Sequence, residues 1–143
     1  MSNPKFQAPM KEYVPNDPSK SVDHDMKMYV LINRPILTLV QSGVQASHSI
    51  TEYTVEHPNC ESYKNWAKNH KTLIFLQASE REMEDIAAGL TKIGKKSSKF
   101  FEPDMYNGEI IKGEKEGMFT ALAVEPMSSV EGKLYFGKFQ LLK

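Results

Sequence analysis

Two carboxylates stand two residues apart at Glu102-Pro103-Asp104, and a threonine, Thr120, sits inside the apolar run MFTALAVE. A third group of polar residues lies in one helical segment: Gln41, Gln45, His48 and Glu52 fall within about 60° of one another at 100° per residue. Together these residue types could hold and activate a water and donate hydrogen bonds to developing negative charge. Asp104 can orient or deprotonate the water. Glu102 can share that role or raise the aspartate's pKa by like-charge proximity. Thr120, Gln41 and Gln45 are neutral hydrogen-bonding groups, and His48 is an acid/base candidate near neutral pH. Arg34 offers a cation for a phosphate or carboxylate. Lys92, Lys95, Lys96 and Lys99 form the densest positive patch, with Lys96 and Lys99 the phosphate-contact candidates if the patch borders a pocket. Each has a plainer reading: a solvated helix face, a helix-fixing histidine, a surface arginine, a solvated helix end. No nucleophile elbow, P-loop or paired metal-ligand motif is visible, so neither metal nor cofactor is expected.

The elements that must position these groups follow from the hydrophobic pattern. MKMYVLI, from Met26, reads as a strand covered on both faces, ended by Asn33-Arg34-Pro35. A long helix follows, reaching His57, with a core stripe of Leu39, Gly43, Ala46, Ile50 and Tyr53 about 80° wide. The small residues Gly43 and Ala46 suggest close approach to a sheet, since glycine in a helix otherwise costs about 1 kcal/mol relative to alanine. Residues 61–69 form a second, short helix with Asn59 as candidate N-cap and Tyr63 and Trp66 as core anchors. TLIFLQ is a short buried strand, and Ser79 with Glu82 gives the capping box of a helix with core positions Met83, Ile86, Ala87, Leu90 and Ile93, ending at Gly94. A third strand over 99–101 runs into the carboxylate corner, and MFTALAVE is the fourth. Ser128 and Ser129 lead to a turn at Gly132, and 133–143 reads as an apolar tail, an edge strand or extended segment on the core. Strands alternating with helices predict an α/β fold: a three-layer α-β-α sandwich around a four-stranded mixed sheet. Ligands of such sheets sit at the carboxyl ends of strands, here the 33–41 loop and the Glu102-Pro103-Asp104 corner.

With 143 residues, 40% hydrophobic and 25% charged, the chain suits one globular domain. Residues 1–25 hold four prolines and few large apolar groups, which predicts a flexible or draped arm ahead of a single domain over 26–143. Residues 105–117, glycine-rich and mixed in charge, read as an inserted mobile loop or extended hairpin. Eighteen basic residues balance eighteen acidic ones, which argues against a protein that mainly coats nucleic acid. The single cysteine, Cys60, excludes an internal disulfide and a cysteine-built zinc site, and fits a reducing, cytoplasmic setting. No apolar run is long enough to span a membrane, and no signal-peptide core is present at the N-terminus.

The pattern K-M-Y-V-L-I, a short loop, then V-Q-A-S-H in a helix resembles the type 2 peptidyl-tRNA hydrolase family, nearest its divergent bacterial and phage-type members. The likeness runs on through TLIFLQASERE, the Glu102-Pro103-Asp104 corner and FTALAVEP, covering roughly residues 26–126. The resemblance implies a four-stranded mixed sheet between helices, a homodimer, and hydrolysis of the ester joining a peptide to the terminal ribose of tRNA. The family's site aspartate matches Asp104, its strand threonine Thr120, and its helix signature Gln45, Ser47 and His48. Two departures stand out. The family's lysine falls on Gln41, and a neutral amide cannot act as a cation for a phosphate or oxyanion. The family's D-A-G-R-T loop is replaced by Asp104, Met105, Tyr106 and Asn107. The expected partner is therefore the 3′ end of tRNA. The alternatives are a small nucleotide signal, bound in the same pocket without turnover or cleaved there by a phosphodiesterase variant, and a dimeric structural protein with a vestigial site.

Overall fold

The structure, a computed structural model, describes residues 26–103 and 117–143. The arm over 1–25, Asp104 and most of the 105–117 insertion lie outside the described residues. Strand β1 (Met26–Ile32) is followed by a single 3-10 turn (Arg34–Ile36) and then by α1 (Leu39–Glu56) and α2 (Glu61–Asn69). Then come β2 (Thr72–Gln77), α3 (Glu80–Lys92), β3 (Ser97–Glu102), β4 (Met118–Val124), the two-residue β5 (Met127–Ser128) and α4 (Ser129–Phe136).

The sheet is mixed, in the order β2-β1-β4-β3. β1 runs parallel to β2 and antiparallel to β4, which runs antiparallel to β3; β5 adds to the start of β1. Parallel pairing requires a crossover, and α1 with α2 supply it. Alternation along β1 divides the core. Met28, Val30 and Ile32 pack with Tyr53, Trp66, Leu37 and Ala46 beneath α1 and α2. Tyr29 and Leu31 pack with Met83, Ile86, Leu90, Tyr135 and Phe136 beneath α3 and α4. Helices cover both faces, and the three-layer α/β sandwich holds.

α1 sits in a different rotation from the apolar stripe. Its buried residues are Ser42, Gln45, Ala46, Ser49 and Tyr53, while Leu39 is 54% exposed. The serines enter the core by bonding to their own helix: Ser42 Oγ donates to the Thr38 carbonyl at 2.8 Å and Ser49 Oγ to that of Ala46 at 2.7 Å. An apolar-only count misses residues that satisfy themselves in this way. Gly43 meets nothing within 4 Å, so it marks no close approach. The second helix is capped by Cys60 rather than Asn59, without a side-chain bond. Cys60 belongs instead to a buried polar seam. Tyr53 Oη lies 3.2 Å from its sulfur, which lies 3.2 Å from Ser62 Oγ, and that hydroxyl donates to Glu125 at 3.1 Å. Burial, reinforced by the Cys60 contact, pushes the Tyr53 phenol well above its usual pKa and keeps it protonated.

The expected turn at Gly132 and the extended tail over 133–143 are corrected. Residues 129–136 are helical because Ser128 caps the helix, its Oγ accepting from Glu131 N at 3.2 Å. Buried Glu131 pairs with Lys95 at 2.5 Å, tying α4 to the turn before β3. Only the last residues extend, and they seal the outer edge of β2. Gln77 N donates to the Gln140 carbonyl at 2.8 Å and Leu142 N to that of Phe75 at 2.9 Å. Gly132 lies inside α4, at a position where a Cβ would stand 2.1 Å from Tyr29 Oη. Gly132→Ala should therefore lower stability by about 1–3 kcal/mol through overpacking, read as a reduced urea midpoint with an unchanged slope.

Candidate functional site

Thr120 owes its position to a bulge. Phe100 pairs with Ala121 and Phe101 with Phe119, so Thr120 is the extra residue on β4. Its neighbours show the consequence. Ala121 packs on the α1 face and Phe119 on the α3 face, while Thr120 reaches Gln45 of α1. Two consecutive residues thus face the same helix. An uninterrupted strand would not allow this.

Around Thr120 the structure assembles a three-member relay. Thr120 Oγ1 lies 2.6 Å from Gln45 Oε1, and Gln45 Nε2 lies 3.2 Å from Glu102 Oε2. The donors follow from the chemistry. An ionised carboxylate only accepts, so the amide nitrogen faces Glu102, the amide oxygen faces Thr120, and the threonine hydroxyl donates. Thr120 is completely buried, Gln45 nearly so and Glu102 half-buried. The result is a carboxylate oriented from behind by two neutral groups. The threonine, read from the sequence as a neutral hydrogen-bonding group, spends its hydrogen on Gln45.

Asn33 was not anticipated. It is buried at the end of β1, its Nδ2 donating to the Phe119 carbonyl at 3.1 Å and its backbone N–H to that of Thr120 at 2.9 Å. It therefore clamps the bulge from the opposite side. A polar residue directly after a near-continuous apolar strand was the available signal. Gly117, at φ +100° just before β4, lies against Glu102: a Cβ would stand 2.4 Å from the Glu102 carbonyl oxygen.

His48 is exposed and stacks on Phe100, with ring centroids 4.8 Å apart and planes at 25°. It borders the relay one helical turn from Gln45. The other expected residues are elsewhere. Gln41 forms the capping box of α1: its Oε1 accepts from Thr38 N at 2.9 Å and its backbone N–H donates to Thr38 Oγ1 at 3.1 Å. Arg34 spends its guanidinium on carbonyls, Nε on Lys143 at 2.9 Å and Nη1 on Leu37. Ser47 is exposed and bonds back to Gly43 at 2.9 Å. Lys99 lies on the face of β3 opposite Glu102 and pairs with Glu84 at 2.6 Å. Lys96 stands at the far end of β3, 3.9 Å from Glu125. The lysine patch therefore does not border the relay. Asp104 lies outside the described residues.

No family model matches the chain, and no curated protein is significantly similar to it in sequence. Among the described residues, no three His, Cys, Asp or Glu side chains are grouped to hold a metal ion, and no helix is long and apolar enough to cross a membrane.

The relay makes a quantitative prediction. Thr120→Val strands a buried amide oxygen and should cost about 1–3 kcal/mol, whereas adding Gln45→Leu removes the orphan. A double-mutant cycle by urea denaturation should give a coupling above about 0.5 kcal/mol, with the double variant more stable than the sum of the singles implies.

Proposed function

We propose that the chain is an ester hydrolase of the peptidyl-tRNA hydrolase type, with Glu102 as the carboxylate that activates water. The single observation carrying this reading is the oriented carboxylate: Glu102 is held by Gln45, which is held in turn by Thr120. In this scheme Glu102 takes a proton from water as the oxygen attacks the ester carbonyl. A tetrahedral oxyanion forms, the bond to the ribose oxygen breaks, and the proton passes to that leaving oxygen. The products are the free peptide acid and the tRNA hydroxyl. Gln45 positions the carboxylate, and Thr120 fixes the amide's orientation. The match of V-Q-A-S-H and the strand threonine to the family pattern supports the substrate class.

A second reading has its own observation. Gln41 is neutral and committed to a helix cap, and Arg34, Lys96 and Lys99 are all engaged away from the relay. That arrangement favours a small nucleotide ligand, bound without turnover, over a whole tRNA, whose binding draws on several phosphate contacts.

Release of tRNA from an N-blocked aminoacyl-tRNA separates the two. For the hydrolase, Glu102→Gln should lower kcat about 100-fold or more with KM little changed, because an amide accepts no proton. An inactive wild-type chain that nonetheless binds nucleotide saturably would establish the second reading.

A further inference from the structure

The two outer strands of the sheet are finished differently. β2 is sealed by the chain's own last residues through Gln140 and Leu142. β3 pairs with β4 on one side, and among the described residues no strand lies on the other. The backbone groups facing outward can be identified. Lys96 turns toward β4: its carbonyl accepts from Glu125 N at 2.9 Å and its N–H donates to Glu125 Oε1 at 3.0 Å. Alternation then points the N–H and C=O of Ser97 and Lys99 away from β4. The Ser97 carbonyl is taken by His57 Nε2 at 3.1 Å, leaving Ser97 N–H and both Lys99 groups for a neighbour.

A cavity of about 570 Å³ runs along this edge, lined by Ser97, Lys99 and Phe101 of β3, by Ala87, Ala88 and Thr91 of α3, and by Glu56 of α1, with Glu84 on its rim. α1 and α3 lie on opposite faces of the sheet, so a space lined by both is at the edge rather than over a face. Open edges are commonly blocked by proline, by a bulge or by an outward lysine. Here β3 has no proline and the bulge residue is on β4. The lysine, Lys99, is drawn back onto α3 by Glu84 at 2.6 Å. Its charge is thereby neutralised.

The rim specifies what can dock. α1 lies along β3, as the Gln45–Glu102, His48–Phe100 and His57–Ser97 contacts show. This places Glu52 and Glu56, one helical turn apart, beside the edge, and neither has an ion-pair partner among the described residues. On the α3 side, Ala87 and Ala88 leave room for small apolar side chains. We propose that the open edge of β3 docks an extended peptide segment of another protein, added as a further strand, with basic residues toward α1 alternating with apolar residues toward α3.

The test uses the full chain and a fluorophore-labelled Lys-Val-Lys-Val-Lys-Val peptide, acetylated and amidated, read by anisotropy. Two controls are Glu-Val-Glu-Val-Glu-Val and the lysine peptide N-methylated at alternate residues. The proposal expects saturable binding of the lysine peptide, at least tenfold weaker binding of both controls, and a reversed preference for the glutamate peptide in Glu52→Lys/Glu56→Lys. Lys99→Pro, tolerated on an edge strand, should abolish binding; the charge reversal decides the matter if that variant misfolds. No binding, or binding indifferent to N-methylation, would overturn the proposal. So would sedimentation showing a dimer that Lys99→Pro dissolves, since the edge would then belong to a second copy.

Discussion

The hydrogen bond from the Thr120 hydroxyl to the Gln45 amide is the contact on which the candidate site depends. A buried amide must satisfy both its ends, and in the low-dielectric space between α1 and the sheet it has few partners. Thr120 reaches it only because the extra residue in β4 brings two consecutive side chains to the α1 face. Asn33 holds that bulge from β1, and Gly117 lets the start of β4 close against the Glu102 backbone. Three strands and one helix therefore converge on one carboxylate. The order β2-β1-β4-β3 makes this possible by placing the end of β1 and the end of β3 on either side of the start of β4.

The rest of the fold keeps this convergence in register. Beneath α3 and α4, a large apolar cluster fixes the sheet from the far side, with Tyr29 laid so closely over Gly132 that a Cβ there would force the ring to shift. At the opposite end of α1, the seam from Tyr53 through Cys60 and Ser62 to Glu125 anchors the helix to the end of β4. α1 is thus pinned at both ends, by a satisfied polar seam at one and by the relay at the other. The helix can carry polar residues on its buried face because each has an assigned partner.

The architecture was legible because strand burial and helix periodicity are strong signals. MKMYVLI, TLIFLQ and MFTALAVE appear as strands, and the Ser79–Glu82 box starts α3. The rotation of α1 was less legible: Ser42, Gln45 and Ser49 count as polar in any pattern, yet are buried with their hydrogen bonds made locally or across the bulge. The capping patterns at Thr38–Gln41 and at Ser128–Glu131 were present in the sequence; the first accounts for the Gln41 side chain and the second turns the tail into α4. Thr120, Gln45 and Glu102 were identified as candidates. Their linkage was not, because a one-residue bulge leaves no mark in hydrophobic pattern.

The orientation of Gln45 can be observed directly. In nitrogen-edited NMR of the full chain, the relay predicts two well-separated Gln45 side-chain amide protons that exchange slowly with solvent and collapse toward a solvent-exposed pair in Thr120→Val. A Gln45 amide that exchanges rapidly in the wild-type chain, indifferent to Thr120→Val, would contradict the account: Gln45 would then not hold Glu102 through Thr120.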